Sequence, residues 1–431
     1  MTNVPRAVVV GGGLAGLVAA RHLAAGGLEV TLLERRDAVG GRVRTRERDG
    51  YRFDRGFQVL FTAYPAVRRE LDLESLALCR YDPGATIARP GRRSTLVDPL
   101  RRPRATAKTL AARDVSTTDK VRVAALRWRL GRADPETLFT GEDESIERYL
   151  RERGFSERFL ENFARPFYGG ITLDRSLSTS SRVFEYTFRA LATGDVAVPA
   201  AGMGAVAEQL AERVEDAGAT IETGVPVESV ASDGVGTDGA ANATVVADGR
   251  TIDADAVVVA TDPPTARSLT GVTDVPTDAR SCLTQYYGVP EESALGGEKR
   301  LLLNPTDDGP NHVVPHSAVA PSHAPEGRTL FSATYLGTRE ETDEELTETT
   351  RRTLESWFPG RPFDDLERLH TDRIEFAQFA QPPGIHERLP GVRDPDGSIY
   401  LAGEYTRWSS IQGAMESGRD AARAVARDLS A

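Results

Sequence analysis

The stretch from Val8 to Thr45, VVVGGGLAGLVAARHLAAGGLEVTLLERRDAVGGRVRT, constrains the fold of this chain more than any other. A short β-branched run ends in a G-x-G-x-x-G turn (Gly11, Gly13, Gly16). An alanine-rich helix follows, with Leu14 and Ala15 in its first turn, and a second apolar run stops at Glu34. The first glycine allows the tight turn out of the strand. The second lets a pyrophosphate approach the backbone, and the third lets helix and strand pack closely. The helix N-terminus offers free N–H groups and a positive dipole end to phosphates. Glu34 lies 18 residues beyond Gly16, near the ~20-residue offset at which a carboxylate meets a ribose hydroxyl. Strand, turn, helix, strand and acid, in that order, predict a dinucleotide site.

Arg35, Arg36 and the run Gly40-Gly41-Arg42 come next, an extension that an ordinary nicotinamide domain does not need. A second signal lies at the far end, IYLAGEYTRWSSIQGAMESGRDAARAVA from Ile399. There a β-branched run ends at Gly403-Glu404 and a helix begins near Ile411, with Gly413, Ala414 and Met415 in its first turn. A third piece begins at Val198. Its helix carries apolar residues four apart (Val206, Leu210, Val214), stops at Gly218 and leads into alternating strand residues. Residues Asp233 to Gly249 predict hairpin turns, and Ala256 to Ala260 a buried strand.

These pieces resemble the FAD-dependent amine oxidase and carotenoid desaturase superfamily over essentially the whole chain. The family pattern E-x-R-x-x-x-G-G-R is matched by Glu34, Arg36, Gly40, Gly41 and Arg42, and its closing A-G-[DE] and G-A motifs by residues 402–404 and 413–414. The resemblance implies an α/β fold: a Rossmann-like FAD-binding domain interrupted by a mixed α+β substrate domain with a helical insertion. The implied boundaries are 1–84, 196–275 and 385–431 for the first domain. They are 85–195 and 276–384 for the second, with the helical part over about 100–190. By the same resemblance Arg42 suits a pyrophosphate, since its planar guanidinium donates in a fixed fork. Glu404 meets the ribityl chain, and backbone at Ala414 and Met415 faces the flavin O2 edge. Val227 holds adenine through its backbone, Ala260 and Thr261 pass near the pyrophosphate, and Gly56-Phe57-Gln58 lies beside the ring. Buried strand residues would look the same at Val227, Ala260 and Thr261, and a loop hydrogen bond would equally explain Gln58. Gln58 and Trp408 are the ring-side candidates; no acid–base pair is evident.

Composition narrows the remaining classes. A chain of 431 residues with 40% hydrophobic and 27% charged content is globular and large enough for two domains. It has no apolar run of 18 residues, and the start passes straight into a strand, so neither a membrane span nor a signal peptide is expected. Two cysteines, Cys79 and Cys282, make no disulfide framework and predict a reduced, cytoplasmic setting. His312, His316 and His323 sit among prolines and are expected in loops and at strand edges; no metal site is expected. A net charge of −11 argues against nucleic acid.

The substrate must be inferred from the ring face. Amine oxidases place a lysine near flavin N5, whereas here no lysine falls between Lys120 and Lys299, and the matching strand offers Cys282, Leu283 and Thr284. The aromatic that amine oxidases carry just before the closing helix is Ser409-Ser410, with Trp408 earlier. LAGEYT with GAMESG is closer to plant-type phytoene and ζ-carotene desaturases. That likeness implies hydride transfer from an apolar, isoprenoid or carotenoid-type substrate to flavin N5, with oxygen or a quinone as electron acceptor. Phe163, Phe167, Tyr168, Phe184, Tyr186 and Phe188 are candidates for an apolar tunnel, or simply for the core of the helical insertion. The alternatives are a flavin amine oxidase, a protoporphyrinogen oxidase, and a non-catalytic prenyl-binding protein like the Rab GDP-dissociation inhibitors.

Residues 101–132 hold ten basic residues against two acidic ones, a local +8. With Val121, Ala125, Leu126 and Trp128 interspersed, this segment is a candidate for peripheral membrane contact. A solvated face, or pairing with acidic neighbours, is the more ordinary account of it.

Overall fold

A computed structural model describes residues 4–97, 114–235, 241–296, 298–306 and 308–430. At its centre is a five-stranded sheet in the order Thr220–Thr223, Glu29–Glu34, Arg6–Val10, Ala256–Val259, Ile399–Leu401. Every neighbouring pair is parallel, with Val8 opposite Thr31 and Val257. Parallel sheets are covered on both faces, which is why these strands read as nearly unbroken apolar runs. Ala7, Val9, Leu32 and Val258 point to one side, into a core shared with three helices: Leu14–Ala25, Gly204–Asp216 and Ile411–Asp428. Val8, Val10, Leu33, Val257 and Val259 point to the other, where the antiparallel strands Val227–Val235, Ala241–Ala247 and Arg250–Ala254 cover them. The predicted hairpin is therefore largely strand.

The opening and closing helices pack at backbone distance. Gly418 makes this possible, since a Cβ there would stand 2.2 Å from the Ala15 carbonyl oxygen. Three of the five parallel strands thus lie more than 180 residues beyond the first two in sequence, joined to them by side-chain burial rather than by local order.

The second sheet has seven strands, in the order Glu367–Phe379, Ala279–Pro290, Arg328–Leu336, His312–Val314, Leu302–Leu303, Ala85–Arg89, Arg92–Leu96. It is antiparallel except where Leu302–Leu303 runs parallel to Ala85–Arg89. The segment expected to be mostly helical therefore starts with a hairpin that completes this sheet. After it come helices Thr117–Leu130, Ile146–Glu152, Arg165–Thr172 and Ser181–Thr193. A π-turn at Leu160–Ala164 precedes Pro166. Proline has no N–H for the carbonyl four residues back, and the widened turn absorbs the missing bond.

Candidate functional site

A single cavity of about 1130 Å³ runs between the parallel sheet, the seven-stranded sheet and the helical segment. Ordinary single-ligand pockets are ~300–1,000 Å³, so this one has room for more than one molecule. Its first end is the opening turn. Gly11, Gly13, Leu14 and Ala15 line it, followed by Glu34, Arg35, Arg36, Gly40, Gly41 and Arg42. Val227, Ala260, Thr261, Gly403, Glu404 and Ala414 also line it, as do Gly56, Phe57, Gln58 and Trp408.

Gly11 adopts φ +108° and a Cβ there would lie 2.8 Å from the Ala260 oxygen, so only glycine fits. Nothing lies within 4 Å of a Cβ built on Gly13, which leaves an open cradle at the helix start. That helix has no side-chain cap and no acidic residue in its first turn. Its leading N–H groups therefore lack a side-chain acceptor. Glu34 is already anchored by backbone: Gly12 N–H donates to Oε2 at 2.7 Å and Arg36 N–H to Oε1 at 3.0 Å.

Three predicted residues stand behind the wall rather than in it. A Cβ on Gly16 would sit 1.9 Å from the Gly11 oxygen, and one on Gly413 2.1 Å from the Trp408 oxygen, so both permit close packing. Met415 is fully buried in the core shared by the three helices. Arg42 lines the cavity, but its guanidinium donates to Glu404 and to the Ala377 carbonyl. Burial alone would lower its pKa, and the Glu404 carboxylate more than reverses that. No carboxylate plays that part for Arg44 or Arg55. Burial and then mutual repulsion with Arg36 lower both, and Arg44 Nε is buried without a hydrogen-bond partner among the described residues. A clustered positive charge of this kind fits a bound anion.

The loop carrying Gln58 is clamped from below. Gln58 Nε2 donates to the Arg42 and Arg55 carbonyls at 2.9 and 3.1 Å, so it holds the loop while also lining the cavity. The buried Tyr286 hydroxyl donates to the carbonyls of Asp54 (2.6 Å) and Gly56 (3.0 Å), and Gly56 N–H donates to Asp372 Oδ2 at 3.1 Å. The seven-stranded sheet thereby fixes the position of the loop.

The far compartment is aromatic. Phe163, Phe167, Tyr168, Phe184 and Phe188 line it, whereas Tyr186 packs behind against Trp408. Phe159 and Phe155 also contribute, presented by the π-turn region, and Cys282 and Ile374 come from the sheet. Sequence reasoning missed Tyr64, which lines the cavity edge-to-face with Trp408 at 6.0 Å, and His312. Neither sits in a recognisable motif.

The histidines are not in loops. His312 is in a strand, His316 opens a short helix, and His312, His316 and His323 are all buried. Burial pushes His312 and His386 down to about 4 and His316 to about 3. In the unfolded chain such groups bind a proton near ~6.5. Their contribution to stability is therefore complete above that value and is lost as pH falls towards 4. Asp54 runs the other way, because burial lifts it to about 6. Its contribution is present at low pH and fades as pH rises through 6. The histidines outnumber it, so urea midpoints should fall between pH 6.5 and 4, with each deeply buried ring contributing up to ~3 kcal/mol at ~1.4 kcal/mol per pKa unit. His316→Phe should flatten that slope. An unchanged slope would show that these rings do not govern acid lability.

Of the basic segment, residues 101–113 lie outside the described residues. The rest forms the helix Thr117–Leu130. Arg129 pairs with Glu185 at 2.6 Å and Arg122 approaches Asp119 at 3.8 Å, so part of its charge is met internally. Val121 and Trp128, seven residues apart on one face, are 64% and 65% exposed. On the other side Val123, Leu126 and Arg127 line the cavity. No helix among the described residues is long and apolar enough to cross a membrane.

Known proteins give a consistent comparison. The family model for flavin containing amine oxidoreductase matches residues 14–426. A chloroplastic/chromoplastic 15-cis-phytoene desaturase from Capsicum annuum is 22% identical over 470 residues, covering 98% of this chain and 78% of its own. The solved structure of an oxidoreductase from Methanosarcina mazei superposes with a TM-score of 0.74 at 19% identity, over 96% of this chain and 99% of that one. Putrescine oxidase bound to putrescine superposes with a TM-score of 0.71 at 19% identity, over 100% of both chains. At such identities the structural likeness speaks for the fold.

Proposed function

This chain belongs to the flavin containing amine oxidoreductase family, and on that premise we propose that it oxidises an apolar, isoprenoid or carotenoid-type molecule with FAD as its cofactor. One observation carries the reading: the dinucleotide-type turn and the aromatic residues of the helical segment line one and the same cavity. A ligand held by the second is thereby brought to whatever the first holds. The 22% identity to a phytoene desaturase, spread over nearly the whole chain, supports the same substrate class.

In this reading residues 1–84, 196–275 and 385–431 form the cofactor domain. Gly11, Gly13, Leu14 and Ala15 offer backbone to the pyrophosphate, helped by Arg36 and Arg55. Glu34 takes the adenosine ribose, Val227 the adenine, and Glu404 the ribityl chain. Ala414 lies in the first turn of the closing helix, whose positive dipole end favours negative charge near it. FAD, when bound, supplies the two-electron acceptor, and oxygen or a quinone takes the electrons onward. The protein's own part is to hold the cofactor, set a C–H bond in place and exclude water. Aromatic walls do the last two without an acid–base pair.

Anaerobic mixing tests this. Phytoene in micelles should bleach the flavin of the loaded protein, and putrescine or benzylamine should not. Bleaching by the amines alone would favour the second reading, a flavin amine oxidase, for which the Tyr64–Trp408 pair in the cavity wall is the supporting feature.

We also propose that the helix Thr117–Leu130 rests on an anionic bilayer, with Val121 and Trp128 inserted and its other side at the cavity. Lipid-soluble substrate then has a short path inward. The protein should sediment with phosphatidylglycerol vesicles at low salt and release as salt rises. A V121D/W128D variant should stay in the supernatant while its flavin content is unchanged. Equal sedimentation of the two forms would remove the contact.

A further inference from the structure

Gln381 stands where three elements meet at the cavity. It follows the long strand Glu367–Phe379. Its carbonyl accepts the Ser180 N–H at 2.8 Å, at the start of the helix that carries Phe184 and Phe188. Its side-chain Oε1 accepts the Ser409 N–H at 2.9 Å, just ahead of the closing helix. A backbone N–H can only donate, so the oxygen end of this amide is settled and Nε2 is the end left over.

Of the three glutamines lining the cavity, Gln58, Gln378 and Gln381, the last is turned opposite to the other two. Gln58 commits its nitrogen to the Arg42 and Arg55 carbonyls, and Gln378 to the Ile171 carbonyl at 2.7 Å. Gln381 Nε2 has no hydrogen-bond partner among the described residues, yet it is not sealed in. Gln412 shows the contrast: its Oε1 accepts the Ala66 N–H at 2.8 Å, and its unpartnered nitrogen is buried away from any surface. The Gln381 nitrogen keeps accessible surface, and the residue, only 3% exposed, lines the cavity together with Ser409, Ser410 and Ile411. The open N–H pair therefore faces that space. Held there without an acceptor it is costly, and a ligand oxygen removes the cost.

We propose that Gln381 Nε2–H donates to a carbonyl oxygen of a molecule bound against Ser409 and the start of the closing helix. The flavin ring is the first source of that oxygen, because in the flavin reading the helix that Ser409 and Ser410 lead into faces the ring. A substrate carbonyl is the second source. The inference rests on the flavin reading above and deepens it. A ring carbonyl gains negative charge on reduction, and hydrogen bonds to charged oxygens are the stronger kind. The amide then favours the reduced ring over the oxidised one roughly tenfold.

The test uses FAD-loaded protein and two variants. Gln381→Glu keeps an oxygen for Ser409 and replaces the N–H pair by a second oxygen, whereas Gln381→Met removes the amide altogether. The readout is the two-electron midpoint potential, measured by dye equilibration beside flavin content and thermal midpoint. With a ring carbonyl as acceptor, both variants should lower the potential by about 30 mV, the equivalent of tenfold. With a substrate carbonyl as acceptor the potential stays where it is. The preference for farnesylacetone, a ketone, over the hydrocarbon farnesene, followed by perturbation of the flavin absorbance, then drops about tenfold in both variants. An unaltered potential together with an unaltered or absent ketone preference, in a Glu variant that keeps its flavin and its thermal midpoint, overturns the inference and leaves the flavin reading standing. A protein that takes up no FAD overturns both.

Discussion

Gly418→Leu should be strongly destabilising to the chain's scaffold. A Cβ at this position would lie 2.2 Å from the Ala15 oxygen, 3.0 Å from its carbonyl carbon and 3.1 Å from Ala19 N. All three are backbone atoms of the opening helix and cannot rotate aside. Any side chain must therefore push the closing helix away, and with it the surface that buries Ala421, Ala422 and Val425. Overpacking usually costs ~1–3 kcal/mol. With no flexible atom to yield, the upper end or more is expected, read as a fall of several degrees or more in the thermal midpoint. The opening helix also presents Leu14 and Ala15 to the cavity, so flavin retention should fall together with stability. Gly418→Ala should move both in the same direction by less. A Leu variant that melts like the unaltered protein would mean that the two helices are not in backbone contact.

The second large effect is Glu34→Ala, and it should act on the cofactor more than on the fold. The carboxylate accepts two backbone hydrogen bonds, from Gly12 and Arg36, which tie the glycine turn to the end of the second strand. Hydrogen bonds to a charged group contribute ~1.5–3 kcal/mol each. Arg36 is partly exposed and water can replace one of them, leaving a stability loss of about 2 kcal/mol. In the proposed reading a ribose partner is lost as well, so equilibrium dialysis should show FAD held about 100-fold more weakly, the equivalent of two such interactions. Glu34→Gln should fall between, because an amide offers one acceptor where the carboxylate offers two. Undiminished FAD retention in Glu34→Ala would place the adenosine end elsewhere.

What was readable in the amino-acid sequence was what local chemistry dictates. Gly11 needs a positive φ, the helix from Leu14 needs an uncapped start, and strands at Val8 and Ala256 need cover on both faces. Each of these leaves a mark within a few residues. The helix with Val206, Leu210 and Val214 formed where its spacing predicts, and ended before Gly218. What was not readable depends on partners far away. Arg42 looks like a phosphate ligand until Glu404, 362 positions on, takes its guanidinium. The hairpin at Ala85–Arg89 and Arg92–Leu96 joins the sheet through Leu302–Leu303, more than 200 residues on. Prolines around His312, His316 and His323 suggested loops. The groups packed on those rings, Phe57, Tyr286 and Pro199 among them, come from elsewhere in the sequence, so the depressed pKa values of the rings left no local trace. The aromatic residues of the helical segment gave an ambiguous pattern, since a stripe that lines a cavity and one that fills a core have the same period. The structure separates them residue by residue: Phe184 faces the cavity and Tyr186 does not.

The proposed oxidation requires the cavity to hold a flavin dinucleotide from the opening turn to the closing helix. The direct measurement is the absorbance spectrum of the purified protein after exposure to FAD and gel filtration, with the released cofactor identified on denaturation. The expected result is a yellow protein that releases about one equivalent of FAD per chain, with the amount reduced in Glu34→Ala. A colourless protein that takes up no FAD would contradict the account, and would leave a scaffold that binds an apolar ligand without redox chemistry.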